Sequence, residues 1–528
     1  MRKWMPLIAV CLGTFMLLVD VTIVTVALPD MAVDLKTSFS SLQWVVDIYT
    51  LILAALLLAM GSVADLYGRR RLYLGGLVVF ALASLASGLA RNTALLIAAR
   101  GVQGIGGAAM YATTIALLSS SYHGRDRGVA FGVWGAVSGA AAAAGPILGG
   151  LLTESLSWRW IFFVNLPVSV VALVASRRSL AADRPAGGTR PDGAGLLTFT
   201  VGAAAMTYGL IRAAAHGWGS GATLGLLGLG LAAFAAFVFI ERARQRGGAG
   251  VLLDLALFRS PAFCGVMIAA LLLNAAAFAY LPYTSLWLQT VLRLTPVKAG
   301  LVGSAPLSLA AFVISALIGR FLHRRSPRWI IGGGLALVGA GALVQATLTG
   351  QSGDLALLPG LIVAGIGVGL ATPPLVSSAM AAVPPRSAGM AAGAVNTARQ
   401  LGFTFGVAVL GGVFSARVAR VLDAGTGSTG GHGGIGAVAP AVSGGQAQAV
   451  LAHVPSAQRG LLDQLIHAAT ASGLNQALLV AGLLGLAAAL VTIVTVRRPV
   501  SPQAPDQHTP AGREPGAQTA ASPAPAEA

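Results

Sequence analysis

Apolar positions along this chain neither alternate nor repeat with a narrow helical stripe. They run. Stretches of about 20 residues with few or no charges recur as far as residue 496, separated by short polar joints rich in arginine. A run of that length, wound as a helix, crosses the ~30 Å hydrocarbon core of a bilayer. Fourteen such spans are predicted, near 7–29, 44–64, 72–90, 93–117, 127–150, 158–178, 193–212, 220–240, 262–290, 297–319, 328–349, 355–380, 387–416 and 473–496. The predicted fold is an all-α polytopic membrane protein.

The pattern repeats at a larger scale. Residues 128–150 carry no charge and hold two G-x-x-x-G frames, Gly135/Gly139 and Gly145/Gly149, with Pro146 inside the second. Small residues at that spacing let a neighbouring helix approach closely. Adding 261 maps Gly104, Ile105, Gly106, Gly128, Ala130, Gly132, Gly145 and Gly150 onto Gly365, Ile366, Gly367, Gly389, Ala391, Gly393, Gly406 and Gly411. Eight identities at one offset imply two related halves, as in many secondary transporters. Span 4 then maps to span 12 and span 5 to span 13. The predicted organisation is an N-terminal six-helix bundle (1–182), an inserted transmembrane hairpin with flanking loops (183–260) and a C-terminal six-helix bundle (261–498). Within the last, 417–472 reads as an outer loop, Gly-rich and mobile over 423–446, with an amphipathic surface helix over 446–472. The Pro/Ala-rich tail, 499–528, reads as a disordered cytoplasmic segment.

Composition sharpens this picture. Of 528 residues, 56% are hydrophobic and 10% charged, against roughly 25% charged in soluble proteins; mean hydropathy is +0.79. The net charge of +17 invites a nucleic-acid partner, but its arginines sit in the joints between spans. With the N-terminus inside, cytoplasmic joints hold 22 Lys and Arg and outer ones nine, which is the positive-inside asymmetry. A cytoplasmic (cell) membrane location with both termini cytoplasmic follows, and nucleic acid is excluded as partner. Arg2 and Lys3 precede an apolar run without a small-x-small cleavage site, so an uncleaved first helix is expected. Cys11 and Cys264 lie apart in apolar runs and imply neither disulfide nor metal. His123, His216, His323, His432, His453 and His467 read as loop residues that form no metal or hydrolytic constellation. No cofactor is expected, and no G-x-x-x-x-G-K-[ST] run for an ATP-driven motor occurs.

A charge at the centre of a span costs ~2.5–3.5 kcal/mol on insertion scales, so each needs a reason. Asp20 lies nine residues below Pro29, roughly 13 Å deep, and Arg100 roughly 10 Å below the outer end of span 4. An ion pair between them is geometrically possible, with Gln103 one turn from Arg100 on the same face. It reads either as a fixed salt bridge or as an acid that burial and Arg100 poise to load and release a proton. Asp47, near the outer start of span 2, is either a solvated helix-start residue or a second acid at a cavity mouth. Arg399 lies near the midplane of span 13 with no deep acid in its own half, and calls for a first-half partner or an anionic substrate. With Asp20, Asn396 and Asn274, Arg399 completes the candidate cavity lining. At the inner end of span 2, Gly61-Ser-Val-Ala-Asp65-Leu-Tyr-Gly68-Arg69-Arg70-Arg71 sets an acid beside three arginines in a glycine-bounded turn. That arrangement predicts a latch, with Asp126 of the next inner joint as a partner for Arg69.

These residues resemble the major facilitator superfamily and, within it, the fourteen-span drug:proton antiporters. Leu18 to Pro29 is similar to the first-helix signature of that branch, Gly61 to Arg71 to the superfamily's loop 2–3 motif, and Arg100 to Ala108 to the fourth-helix motif. Gly145-Pro146-Ile-Leu-Gly149-Gly150 resembles the fifth-helix antiporter motif, and Trp158 to Pro167 the branch's sixth helix. Thr25 stands where the branch usually has Asn, and Leu66 where the loop motif usually has a basic residue. The resemblance implies proton coupling through Asp20 and Arg100, gating through Asp65 and Arg69, and a conformational role for the Gly145-Pro146 helix. The expected function is proton-driven export of small amphipathic drugs or antibiotics by a monomer working through alternating access. The alternatives are an uptake permease or symporter for a small metabolite and a non-transporting membrane receptor; no enzymatic activity is expected.

Overall fold

A computed structural model describes residues 2–37, 39–181, 192–247, 251–318, 326–381, 383, 387–425, 435–444, 447–452 and 454–496. The expected tail, the Gly-rich stretch 426–434, His323, His432 and His453 lie outside the described residues. The described residues are mostly helical: α1 (Met5–Asp34), α2 (Phe39–Tyr67), α3 (Arg69–Gly88), α4 (Thr93–Ser121), α5 (Gly124–Ser155), α6 (Trp160–Phe163) and α7 (Asn165–Ser179) come first. Then follow α8 (Gly193–His216), α9 (Gly221–Arg246), α10 (Pro261–Ala277), α11 (Leu281–Leu286), α12 (Pro296–Gly303), α13 (Ala305–Ile318), α14 (Pro327–Gln345) and α15 (Leu358–Ala381). The last are α16 (Ala388–Gly425), α17 (Ile435–Ser443), α18 (Ala447–Ala452) and α19 (Ser456–Thr495). Among the described residues twelve spans are long and apolar enough to cross a membrane, thirteen if α12 and α13, bent by 48°, count as one. Several elements differ from expectation. The ninth span breaks into α10, α11 and a π turn over Trp287–Val291. The expected outer loop is largely helix: α16 continues to Gly425, and the expected surface helix is instead the start of α19, an unbroken 40-residue helix that also contains His467.

Glycines show how the helices meet, and they meet in the same way twice. A methyl added at Gly104 of α4 would stand 2.9 Å from the Tyr49 carbonyl oxygen on α2, and one at Gly106 2.7 Å from the Phe80 nitrogen on α3. At the matching positions of α15, Gly365 abuts Leu307 and Ala310 of α13, and Gly367 abuts Gly334 and Val338 of α14. The offset of 261 therefore corresponds to equivalent packing and not only to similar letters. α5 and α16 correspond as well. Gly145 and Gly149 press on Thr22 and Ile23 of α1, while Gly406 presses on Ala275 and Ala279 of α10. Gly135 and Gly139 instead face Ser315, Ser308 and Ala311 of α13, and Gly389 and Gly393 face Gly61 and Leu57 of α2. Each of these two helices thus binds the opposite half with one end and its own half with the other. Gly139 and Gly149 lie roughly 80° apart around the α5 axis, which lets one helix serve both contacts. α8 and α9 pack on each other, and α8 also lies against α2 and α16, with the Trp44 and Tyr208 rings 5.3 Å apart.

Close backbone approach gives a stability prediction. Gly106→Ala and Gly367→Ala are each expected to destabilise the protein by about 1–3 kcal/mol through overpacking. Gly75→Ala, whose methyl meets nothing within 4 Å, is expected to leave the melting temperature in detergent unchanged. Equal melting temperatures for all three variants would contradict the packing described.

Candidate functional site

Asp20 of α1 is fully buried inside the first half, and so are Arg100 and Gln103 of α4. The apolar runs around them supply no water, so their polar atoms turn to one another, leaving Arg100 Nη2 without a hydrogen-bond partner among the described residues. Arg100 Nη1 donates to Asp20 Oδ2 and, at 2.8 Å, to Gln103 Oε1. Gln103 Nε2 donates to Asp20 Oδ1 at 2.9 Å, as does Asn165 Nδ2 of α7, also at 2.9 Å. Both amides further donate to Ser84 Oγ of α3, at 2.7 and 3.0 Å. Arg100 Nε donates to the Val45 carbonyl oxygen at 3.0 Å, and the Tyr49 ring lies 4.2 Å from the guanidinium carbon. The expected Asp20–Arg100–Gln103 cluster is thus assembled, with α4 and α7 donating to the carboxylate carried by α1. Ser84, Asn165 and Tyr49 were not among the candidates. Their signal was present, since Asn165 and Ser84 are polar residues within apolar runs.

A second constellation closes the C-terminal end of α2. Gly68 adopts φ 101°, a left-handed value that a side chain would strain, and so turns α2 sharply into α3. The turn returns Arg69 to Asp65: Nε and Nη2 donate to Oδ1 at 3.1 and 2.8 Å. Asp65 also reaches the other half. Its Oδ1 accepts from the Gly389 amide at 3.0 Å and its Oδ2 from the Met390 amide at 2.8 Å. These are amides of the first turn of α16, so Asp65 caps that helix from outside and meets the positive end of its dipole. Gly61 permits the approach, since a methyl there would stand 2.5 Å from the Gly389 carbonyl oxygen. Ser62 Oγ ties the same place to the segment after α9 by donating to the Leu252 carbonyl oxygen at 2.8 Å. Asp126 is not part of this cluster. It pairs with Lys3 Nζ at 2.8 Å, because α5 begins beside the start of the chain rather than beside Arg69.

The remaining candidates are dispersed. Asp47 is half-buried on α2 and, among the described residues, forms no ion pair. Asn274 is buried but spends its amide on the Ala270 carbonyl of its own helix, at 3.1 Å. Asn396 is fully buried and spans the halves, donating to the Tyr111 carbonyl of α4 at 2.9 Å. Arg399, one turn further along α16, has its guanidinium carbon 5.6 Å from the centre of the Trp134 ring of α5.

Comparison with known proteins matches this architecture. Residues 10–407 match the family described as Major Facilitator Superfamily. The chain belongs to that superfamily. It is a multi-pass membrane transporter of small molecules and not an enzyme. The chain is 36% identical over 420 residues to the "Multidrug resistance protein Stp" of Mycobacterium tuberculosis, covering 79% of this chain and 77% of that one. It is 38% identical over 432 residues to the "Puromycin resistance protein pur8" of Streptomyces alboniger, covering 80% and 84%. Its fold resembles that of the human organic anion transporter MFSD10 (TM-score 0.58, 15% identity, 93% of this chain and 99% of that one).

In this superfamily member the junction at Asp65 is directly testable. Asp65→Ala leaves the Gly389 and Met390 amides without their acceptor, at a cost of about 1–3 kcal/mol. Hydrogen exchange over residues 388–393 is expected to accelerate accordingly, with exchange in α14 unchanged. Unaltered exchange at the start of α16 would show that Asp65 does not hold the two halves together.

Proposed function

We propose that this chain is a proton-coupled antiporter that exports small amphipathic drugs or antibiotics across the cytoplasmic membrane. In this reading the spans number fourteen. α5 joins those identified by length and composition, α12 and α13 form one bent span, and α8 with α9 is a hairpin inserted between two six-helix bundles. The 22 basic residues on one side against nine on the other support both termini being cytoplasmic. The resistance names of the two relatives described above support export as the direction of transport.

The single observation that carries the coupling is the burial of Asp20 on three donors from two neighbouring helices, among them a guanidinium. A proton delivered from outside neutralises Asp20, weakens its hold on Arg100 and loosens the first bundle. The bundles then rock about the α2–α16 and α5–α13 contacts. The Asp65 cap on α16 closes the inner side in one state and parts in the other. The drive suffices: one charge moved across 100 mV yields ~2.3 kcal/mol, and at ~1.4 kcal/mol per tenfold this sustains a roughly 50-fold gradient.

The test is transport into inverted vesicles with an imposed proton gradient and a panel of dyes. Asp20→Asn is expected to abolish gradient-driven transport. Because it also leaves Arg100 without its charged partner, a stability loss of about 3–5 kcal/mol is expected. Asp20→Glu, which restores the charge, is therefore measured beside it and is expected to retain proton dependence. Proton-driven transport by a folded Asp20→Asn variant would remove Asp20 from the mechanism.

A further inference from the structure

Arg399 is a cation whose needs the described protein does not meet. Its side chain is half-buried, yet Nε and Nη1 are sealed from solvent, and among the described residues neither has a hydrogen-bond acceptor. An arginine cannot escape this by losing a proton. None of the carboxylates described in the spans pairs with Arg399: Asp20 is held by Arg100, Asp65 by Arg69 and α16, Asp192 lies beside Arg244, Glu241 accepts from the Leu252 amide, and Asp47, half-buried on α2, is not within ion-pair distance. The Trp134 face, 5.6 Å from the guanidinium carbon, supplies attraction but no acceptor. Trp134 is itself fixed, fully buried and donating from Nε1 to Thr14 Oγ1 at 3.2 Å. One turn earlier Asn396, also fully buried, keeps Oδ1 without a donor while its amide holds Tyr111.

Two further features set the place apart. It lies where α16 crosses from the first half to its own, between Gly393 against Leu57 and Gly402 against Leu271. A ligand there touches both halves, as alternating access requires. The repeat also shows that the scaffold does not demand a cation. The offset of 261 sets Ser138 of α5 at the position of Arg399 and Gly135 at that of Asn396, and Ser138 merely bonds to the Trp134 carbonyl of its own helix at 2.9 Å. The polar pair was therefore added to one half only.

We infer that Arg399 is the anchor for the acidic group of an amphipathic organic anion, with Trp134 a positioning residue that holds the guanidinium by its ring. The ligand class is a planar oxyanion, a carboxylate, on an apolar body, because a guanidinium fork matches that group with two parallel hydrogen bonds. Asn396 Oδ1 accepts from a hydroxyl or N–H carried beside it. The assignment rests on the transport reading above for its biological meaning, but not for its measurement.

The experiment uses the purified full chain and a matched pair of probes, 2-naphthoate and a naphthalene of the same ring system bearing trimethylammonium. Binding is measured by calorimetry for wild type, Arg399→Gln, Arg399→Lys and Trp134→Phe, each first shown to elute as one species. Wild type is expected to prefer the carboxylate by roughly tenfold or more, the worth of one desolvated charge-assisted contact. Arg399→Gln is expected to erase that preference with cation binding unchanged or stronger, Arg399→Lys to restore part of it, and Trp134→Phe to reduce it. Equal binding of the two probes by wild type, or a carboxylate preference that survives Arg399→Gln, overturns the assignment. A preference lost in Arg399→Gln but accompanied by no export from wild-type vesicles upholds the site and sinks the transport reading instead.

Discussion

Asp20 is held where no water reaches, and much of the first half is arranged to make that tolerable. Removing an isolated carboxylate from water is prohibitive, and even a paired one carries several kcal/mol of desolvation. The chain offsets this by bringing donors from α4 and α7 onto its two oxygens and fixing those donors in turn on Ser84 and Val45. The network joins α1, α2, α3, α4 and α7 by polar bonds in surroundings where apolar side chains discriminate poorly between neighbours. In a membrane such bonds specify which helices associate more than they strengthen the association.

Between the halves the forces are of another kind. Gly61, Gly389 and Gly393 on one side, and Gly139 on the other, bring backbones close together with little interlocking of side chains. Contacts of this sort hold firmly when closed and leave little to unlock when they part. Asp65 adds the specific element, a carboxylate on α2 that completes the first turn of α16. Because that cap is supplied from the other half, the order of the α16 terminus depends on the junction being shut.

The two halves share a scaffold but not a chemistry. Gly104 and Gly106 in one half and Gly365 and Gly367 in the other set the same helix crossings, through contacts in which any side chain would collide with backbone. The buried ionic network belongs to the first half, and the unmet guanidinium of Arg399 to the second. The two halves therefore differ at side chains that do not set the crossings.

Much of this was readable along the chain. Long uncharged runs have essentially one stable form in a bilayer, the helix, since every backbone amide must be satisfied within its own segment. Their spacing, the glycine repeat and the depth of Asp20 and Arg100 gave the helices, the two halves and the central ion pair. The sequence misplaced what depends on where a helix stops or turns. A polar, mixed stretch such as 456–472 continues a span as readily as it lies on a surface, and the structure continues it as α19. It also missed partners far apart in number: Asp126 turned to Lys3, and Asp65 keeps the neighbouring Arg69 but also meets backbone amides of α16 more than 300 residues away. Ser84 and Asn165 were visible as polar letters, but only three-dimensional convergence gave them a common carboxylate. Local composition decides how each segment crosses the membrane; which polar atoms then meet is decided by helix packing, a property of the whole fold.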